Sequence, residues 1–130
     1  MGKGLGIASS LAMRNRPWEI GRRAEVRART YAEARGWEIL ALNWRCRGGE
    51  LDIVARDGGV LVILEVRCRA NGEGIGSLSP AKLRALRNAS AGYLRKNRSK
   101  LGWMEELRFD LVLFEEGGKL NYVPAAIYTF

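Results

Sequence analysis

GGELDIVARDGGVLVILEVRCR, residues 48 to 69, sets two β-rich runs on either side of Gly58-Gly59. Runs of this kind read as strands, Glu50–Asp57 and Val60–Cys68. The glycine pair between them reads as a type I′ hairpin turn with positive φ at both central positions. With a two-residue turn, Asp57 pairs with Val60, Asp52 falls opposite Glu65, and Glu50 falls opposite Arg67. Directly opposed residues share a face, with Cβ atoms about 5 Å apart. A three-residue turn would put Asp52 opposite Leu64 and send Glu65 to the other face. Only the first register makes chemical sense of both acids.

The neighbours of these acids sharpen the point. Asp52 precedes Ile-Val-Ala, and Glu65 follows Val-Leu-Val-Ile-Leu and precedes Val66. A carboxylate in so apolar a strand is costly unless it is paired or metal-bound. Two carboxylates at that separation repel unless a divalent cation lies between them. The plain alternative is a buried salt bridge, from Glu65 to Arg67 or Arg69, or from Asp52 to Arg45. As a site, the two acids and a main-chain carbonyl, that of Val66, would hold Mg²⁺ (or Mn²⁺) and suit phosphodiester hydrolysis. Arg67, two residues after Glu65, points to the same face and can reach a phosphate or an attacking water.

Working outward, Pro17 opens a helix to about Arg35, with Ile20, Ala24, Ala28, Tyr31 and Ala32 at spacings of three and four, and Gly36 stops it. Trp37–Trp44 reads as a first strand and Arg45–Gly48 as a polar turn. Asn71–Ser79 is a Gly-rich loop. Ser79 then caps a second helix with Pro80 in its first turn, running to about Arg95 with Leu83, Leu86, Ala89 or Ser90, Tyr93 and Leu94 as its apolar stripe. Arg108–Glu115 and Leu120–Ala125 read as strands flanking Gly117-Gly118. The order α-β-β-β-α-β-β predicts an α/β fold with a mixed β-sheet flanked by helices. Residues 1–16 read as a flexible leader, with Met13 as a second candidate start, and 17–130 as one domain.

Composition narrows the chemistry. The chain has no histidine and only two cysteines, Cys46 and Cys68, which excludes histidine triads, imidazole bases and an ordinary zinc site. Cys68 reads as a small buried hydrophobe. No apolar run is long enough for a membrane span, and residues 1–16 make neither a good signal peptide nor a myristoylation site, so a cytoplasmic protein is expected. The net charge is +8. Between Glu73 and Glu105 there is no acid, while Lys82, Arg84, Arg87, Arg95, Lys96, Arg98 and Lys100 all fall there. One element thus carries an electrostatic footprint for phosphates, and a nucleic acid is the expected partner.

Asp52 followed by Glu65-Val66-Arg67 on the next strand resembles the PD-(D/E)xK nuclease signature. More closely, the chain resembles the YraN-like family of small bacterial proteins, predicted endonucleases akin to archaeal Holliday-junction resolvases. The resemblance is carried by Gly21-Arg-Arg-Ala24-Glu25-Val-Arg-Ala28, Gly36, Asn43-Trp-Arg45, Gly49-Glu50-Leu51-Asp52, Glu65-Val66-Arg67-Cys68-Arg69, Lys82, Tyr93-Leu94 and Arg108-Phe109-Asp110.

That resemblance implies a restriction-endonuclease-like core with Glu25, Asp52, Glu65 and Arg67 as the catalytic set. Glu25 would approach the cation from the first helix; read from the sequence alone it is equally a solvated helix residue. Lys82 matches a family lysine, although a plain phosphate contact explains it as well, alongside Arg84, Arg87, Arg95, Lys96 and Arg98. Asp110 is expected to be structural, beside Arg108. A DNA substrate of branched or structured form, and a homodimer, are implied by the resemblance alone. Two departures stand out: Ala24 replaces the family's glycine, and Arg67 replaces the signature lysine. Arginine stays protonated, so Arg67 orients water or offsets charge and cannot be a general base. Two other classes remain open: a non-catalytic nucleic-acid-binding protein that keeps the fold, and a scaffold whose positive charge meets a membrane or partner acids.

Overall fold

The computed structural model describes residues 17–68, 78–115 and 117–125, with side chains from residue 21 onward. Its elements are α1 (Pro17–Ala34), β1 (Glu38–Cys46), β2 (Gly49–Asp57), β3 (Val60–Cys68), α2 (Pro80–Leu101), β4 (Glu106–Phe114) and β5 (Leu120–Val123). The strands form one mixed sheet in the order β1-β2-β3-β4-β5, with only β3 and β4 parallel. That parallel step requires a crossover, and α2 supplies it. The architecture is the α/β arrangement the sequence predicts.

Each helix covers one face of the sheet because β3 is apolar on both. Leu61 and Ile63 pack with Leu86, Ala89, Tyr93 and Leu101 of α2. Val62 and Leu64 pack with Ala28 and Ala32 of α1. Ala24, Ala28 and Ala32, spaced by one helical turn, are fully buried. Their small side chains let α1 lie close over the strands.

The hairpin turn is two residues long, and Asp57 pairs with Val60 as the sequence predicts. Its type differs from the expected I′. Gly58 has φ 60, whereas Gly59 is not in the positive region, which is the II′ pattern. The β1–β2 turn is also shorter than expected: Cys46 pairs with Gly49, leaving Arg47 and Gly48 between the strands. In α2, Ser79 Oγ accepts the Lys82 N–H at 3.1 Å. The helix runs past Arg95 to Leu101 because Leu101 buries against the sheet, and Gly102, φ 68, then returns its N–H to Arg98. The Gly-rich loop expected at Asn71–Ser79 lies outside the described residues up to position 77.

Asp110 fastens β4 to the chain's end. Fully buried, it accepts from Arg108 Nε at 2.9 Å and Nη2 at 3.0 Å, from the Tyr122 hydroxyl, and from the Ala125 N–H at 2.8 Å. Both oxygens of this buried carboxylate thus meet donors. The structural role expected for it is what these bonds provide.

Close helix-to-sheet approach leads to a prediction about two glycines. A Cβ at Gly49 would lie 2.5 Å from the Ala85 carbonyl oxygen of α2, whereas one at Gly21 in α1 meets nothing within 4 Å. Gly49→Ala should lower the unfolding free energy by about 1–3 kcal/mol through overpacking. Gly21→Ala should raise it by about 0.4–1 kcal/mol through the unfolded chain's entropy. Denaturant titration of both variants checks the opposite signs.

Candidate active site

The ladder between β2 and β3 holds from Asp57–Val60 to Ile53–Leu64 and goes no further. In a continued register the Val66 N–H would meet β2 backbone; it donates instead to Asp52 Oδ2 at 2.9 Å. The reason lies in the pleat. Leu51 and Val54, three residues apart, pack in the same core cluster, and so do Ala41 and Trp44 on β1. Residues three apart in a regular strand point to opposite faces. Alternation therefore skips in both strands, at Asn43 and Asp52, apart from a separate bulge in β1 between Ile39 and Ala41, while the pairing on either side (Leu42–Ile53 and Trp44–Leu51) keeps one register. Asn43 takes the skip with φ 50, a left-handed conformation that asparagine tolerates better than most residues. Asp52 is thus released from the ladder, and its carboxylate turns toward β3.

Glu65 waits beside it. It is buried, 2% exposed, and Lys82 Nζ from α2 lies 3.3 Å from its Oε2. Its Oε1 is buried and finds no hydrogen-bond partner among the described residues. Burial, then the Asp52 charge, push the Glu65 carboxyl up to about 8, helped by a hydrogen bond that only its protonated form can give Asp52, with Lys82 pulling the other way. Glu65 pairs with Lys82 of another element, and Arg45 pairs with Glu50.

Glu25 approaches from α1. Its Oε1 accepts from Asn43 Nδ2 at 3.2 Å. Its carboxyl is raised by partial burial, against the Asn43 hydrogen bond, and further by the charges of Asp52 and Glu50. Asp52 therefore acts on both other acids, Glu25 on one side and Glu65 on the other. Arg67 follows on the same strand, half-buried. The site's contact with Val66 is made through the amide N–H. The basic residues Arg84, Arg87, Arg95, Lys96 and Arg98 are exposed on α2, with Lys82 half-buried at the carboxylate. Asn43 is the residue that sequence reading left without a role. Its signal was its place in the Asn43-Trp-Arg45 segment, opposite Asp52.

The donors fit a hard cation in part. Asp52 and Glu65 offer carboxylate oxygens, including one buried oxygen that lacks a partner. This is the chemistry Mg²⁺ and Mn²⁺ prefer. Among the described residues, however, no three acids or cysteines converge on one point. The arrangement is a two-carboxylate seat with Glu25 close behind, and not a closed cage.

The family model described as "Uncharacterised protein family UPF0102" matches residues 24–114. The chain belongs to this family. It is the YraN-like family that the sequence motifs resemble. A UPF0102 protein of Alkalilimnicola ehrlichii is 42% identical over 100 residues, covering 75% of this chain and 78% of that protein. One from Acidothermus cellulolyticus is 38% identical over 121 residues (82% and 92%). Another, from Halorhodospira halophila, is 38% identical over 116 residues (87% and 90%). The UPF0102 match takes in Glu25, Asp52, Glu65, Arg67 and Lys82.

The buried acid makes stability depend on pH. The Glu65 carboxyl stands at about 8 against an ordinary 4.5. Its protonated form therefore contributes stability that is full below about 4.5 and lost as pH rises through about 8. Glu65→Gln cannot ionise and escapes that loss. In metal-free protein, unfolding free energies at acid and alkaline ends of this window should show the variant gaining on the parent as pH rises. A parent that gains on the variant would contradict the assignment.

Proposed function

We propose that this UPF0102 protein is a metal-dependent endonuclease that hydrolyses phosphodiester bonds in DNA, working in the cytoplasm. The observation that carries the reading is the buried Glu65 carboxyl, its Oε1 without a partner, set beside an Asp52 turned out of the ladder. A purely structural acid at that depth would have its oxygens satisfied, as those of Asp110 are.

Asp52, through the oxygen not bonded to Val66, and Glu65 Oε1 would hold Mg²⁺ or Mn²⁺, with Glu25 near enough to join through water. When bound, such a cation supplies an acidified water and offsets charge on the phosphate. Lys82 holds Glu65 Oε2 and keeps its side chain turned inward. Arg67 binds and orients a phosphate oxygen, a task suited to a permanently charged planar fork. The exposed arginines of α2 bind the flanking backbone phosphates, which steers a polyanion toward the carboxylates. The branched substrate and the homodimer rest on the family resemblance.

One further observation favours a second reading. The acids do not close into a three-ligand cage among the described residues, and arginine stands in the position of the signature lysine. A nucleic-acid-binding protein that keeps the fold without catalysis would look like this. The two carboxylates argue against it, because a pure phosphate binder gains by losing acids that face a polyanion.

A cleavage assay on linear, flapped and four-way DNA with Mg²⁺ or Mn²⁺ decides between them. The parent should cut, and Asp52→Asn and Glu65→Gln should each lose about 10²-fold or more of the rate. Activity without metal, or activity equal to the parent in both variants, sinks the mechanism. Salt-sensitive binding without cleavage of any substrate selects the binding protein.

A further inference from the structure

Trp103 stands two residues past the end of α2 with 76% of its surface exposed, while Trp37 is 7% exposed in the core. Its backbone is held on both sides. Gly102 donates to Arg98 O at 3.1 Å, Arg56 Nη1 donates to Leu101 O at 3.0 Å, and Glu105 donates to Gly59 O at 2.8 Å. The indole is therefore presented to solvent from a pinned segment, and no core position takes it up.

It ends a basic element. Arg84, Arg87, Arg95 and Arg98 are exposed on α2, and at 3.6 residues per turn they fall within an arc of about 80°. No acid occurs between Glu73 and Glu105. The first acid after Trp103, Glu105, lies against the hairpin turn: a Cβ on Gly59 would sit 3.0 Å from its carboxyl carbon.

We propose that Trp103 is a base-stacking anchor for nucleic acid with an unpaired base. The arginine stripe would hold the strand's phosphates. An indole stacks on a base only where the base's face is open, which is true of strand ends and unpaired nucleotides and not of a duplex interior. The end of α2 that carries the anchor lies about 28 Å from Lys82 (19 residues to Leu101 at 1.5 Å), or about eight base steps of 3.4 Å. Trp103 therefore reads the nucleic acid at a distance from the carboxylates. A lipid surface also attracts tryptophan and arginine, but membrane-lying helices need an exposed apolar face. The apolar residues of α2, Leu86, Tyr93 and Leu101, are buried against the sheet. The inference rests on α2 as the nucleic-acid face and not on catalysis.

The test is equilibrium binding of the full chain in EDTA, so that no cleavage intervenes. The probes are a blunt DNA duplex, the same duplex with a single-stranded overhang, and anionic lipid vesicles. The parent should prefer the overhang, and Trp103→Ala should weaken that complex about tenfold or more. The same variant should weaken the blunt complex far less, through its two end pairs alone, and leave the melting temperature unchanged, and Trp103→Phe should keep most of the preference. Unchanged overhang binding, equal loss on both duplexes, or loss of vesicle binding alone overturns the anchor. Arg84→Ala with Arg98→Ala should weaken both DNA complexes. If the parent binds neither duplex, the reading of α2 falls and the anchor falls with it. If the arginines matter and Trp103 does not, the anchor alone falls.

Discussion

The hydrogen bond from the Val66 N–H to the Asp52 carboxylate stands where strand pairing would otherwise continue, and the site depends on it. A backbone donor buried in a sheet must be satisfied by something. Had β2 and β3 stayed zipped beyond Ile53–Leu64, Asp52 would stand on one face as an ordinary strand residue. The skipped alternation at Asn43 and Asp52 opens the ladder at that point, and the carboxylate then satisfies the donor that the opening strands. Position and satisfaction of the acid come from one local irregularity, which a left-handed Asn43 makes affordable.

Around that bond the three acids have unlike settings. Asp52 is anchored to backbone. Glu25 is half-exposed and held by Asn43. Glu65 is buried, pressed by the Asp52 charge and steadied on one oxygen by Lys82. Burial and like charge raise the proton affinity of both Glu25 and Glu65, the latter to about 8. Glu65 is the acid that holds its proton near neutrality and would yield it to a cation. Lys82 at the other oxygen favours the charged form and offsets part of the cost of burial.

Much of this was legible in the residues. The two-residue turn follows from Gly58-Gly59, whereas the directly opposed Asp52–Glu65 pair expected from it is absent from the ladder, and Asp52 meets β3 through its side chain at Val66. Periodicity and capping residues mark both helices, and the acid-free window marks the basic one. The rest depends on long-range packing. No local signal says that α2 continues until Leu101 finds the sheet, or that Lys82 of α2 reaches Glu65. The pleat skip is invisible to a reading that assumes period-two alternation, so Asn43 was seen only as a motif member. The turn type was missed because a glycine pair satisfies I′ and II′ alike.

If Asp52 and Glu65 form the proposed cation seat, a bound metal must displace the proton that Glu65 holds below about 8. Titration of metal-free protein with Mg²⁺ or Mn²⁺ near neutral pH in weak buffer measures this directly, by following bound cation and released protons together. With Glu65 at about 8, close to one proton should leave for each cation bound. In Glu65→Gln both binding and release should be lost. Tight binding without proton release, or release that survives the substitution, would contradict the account.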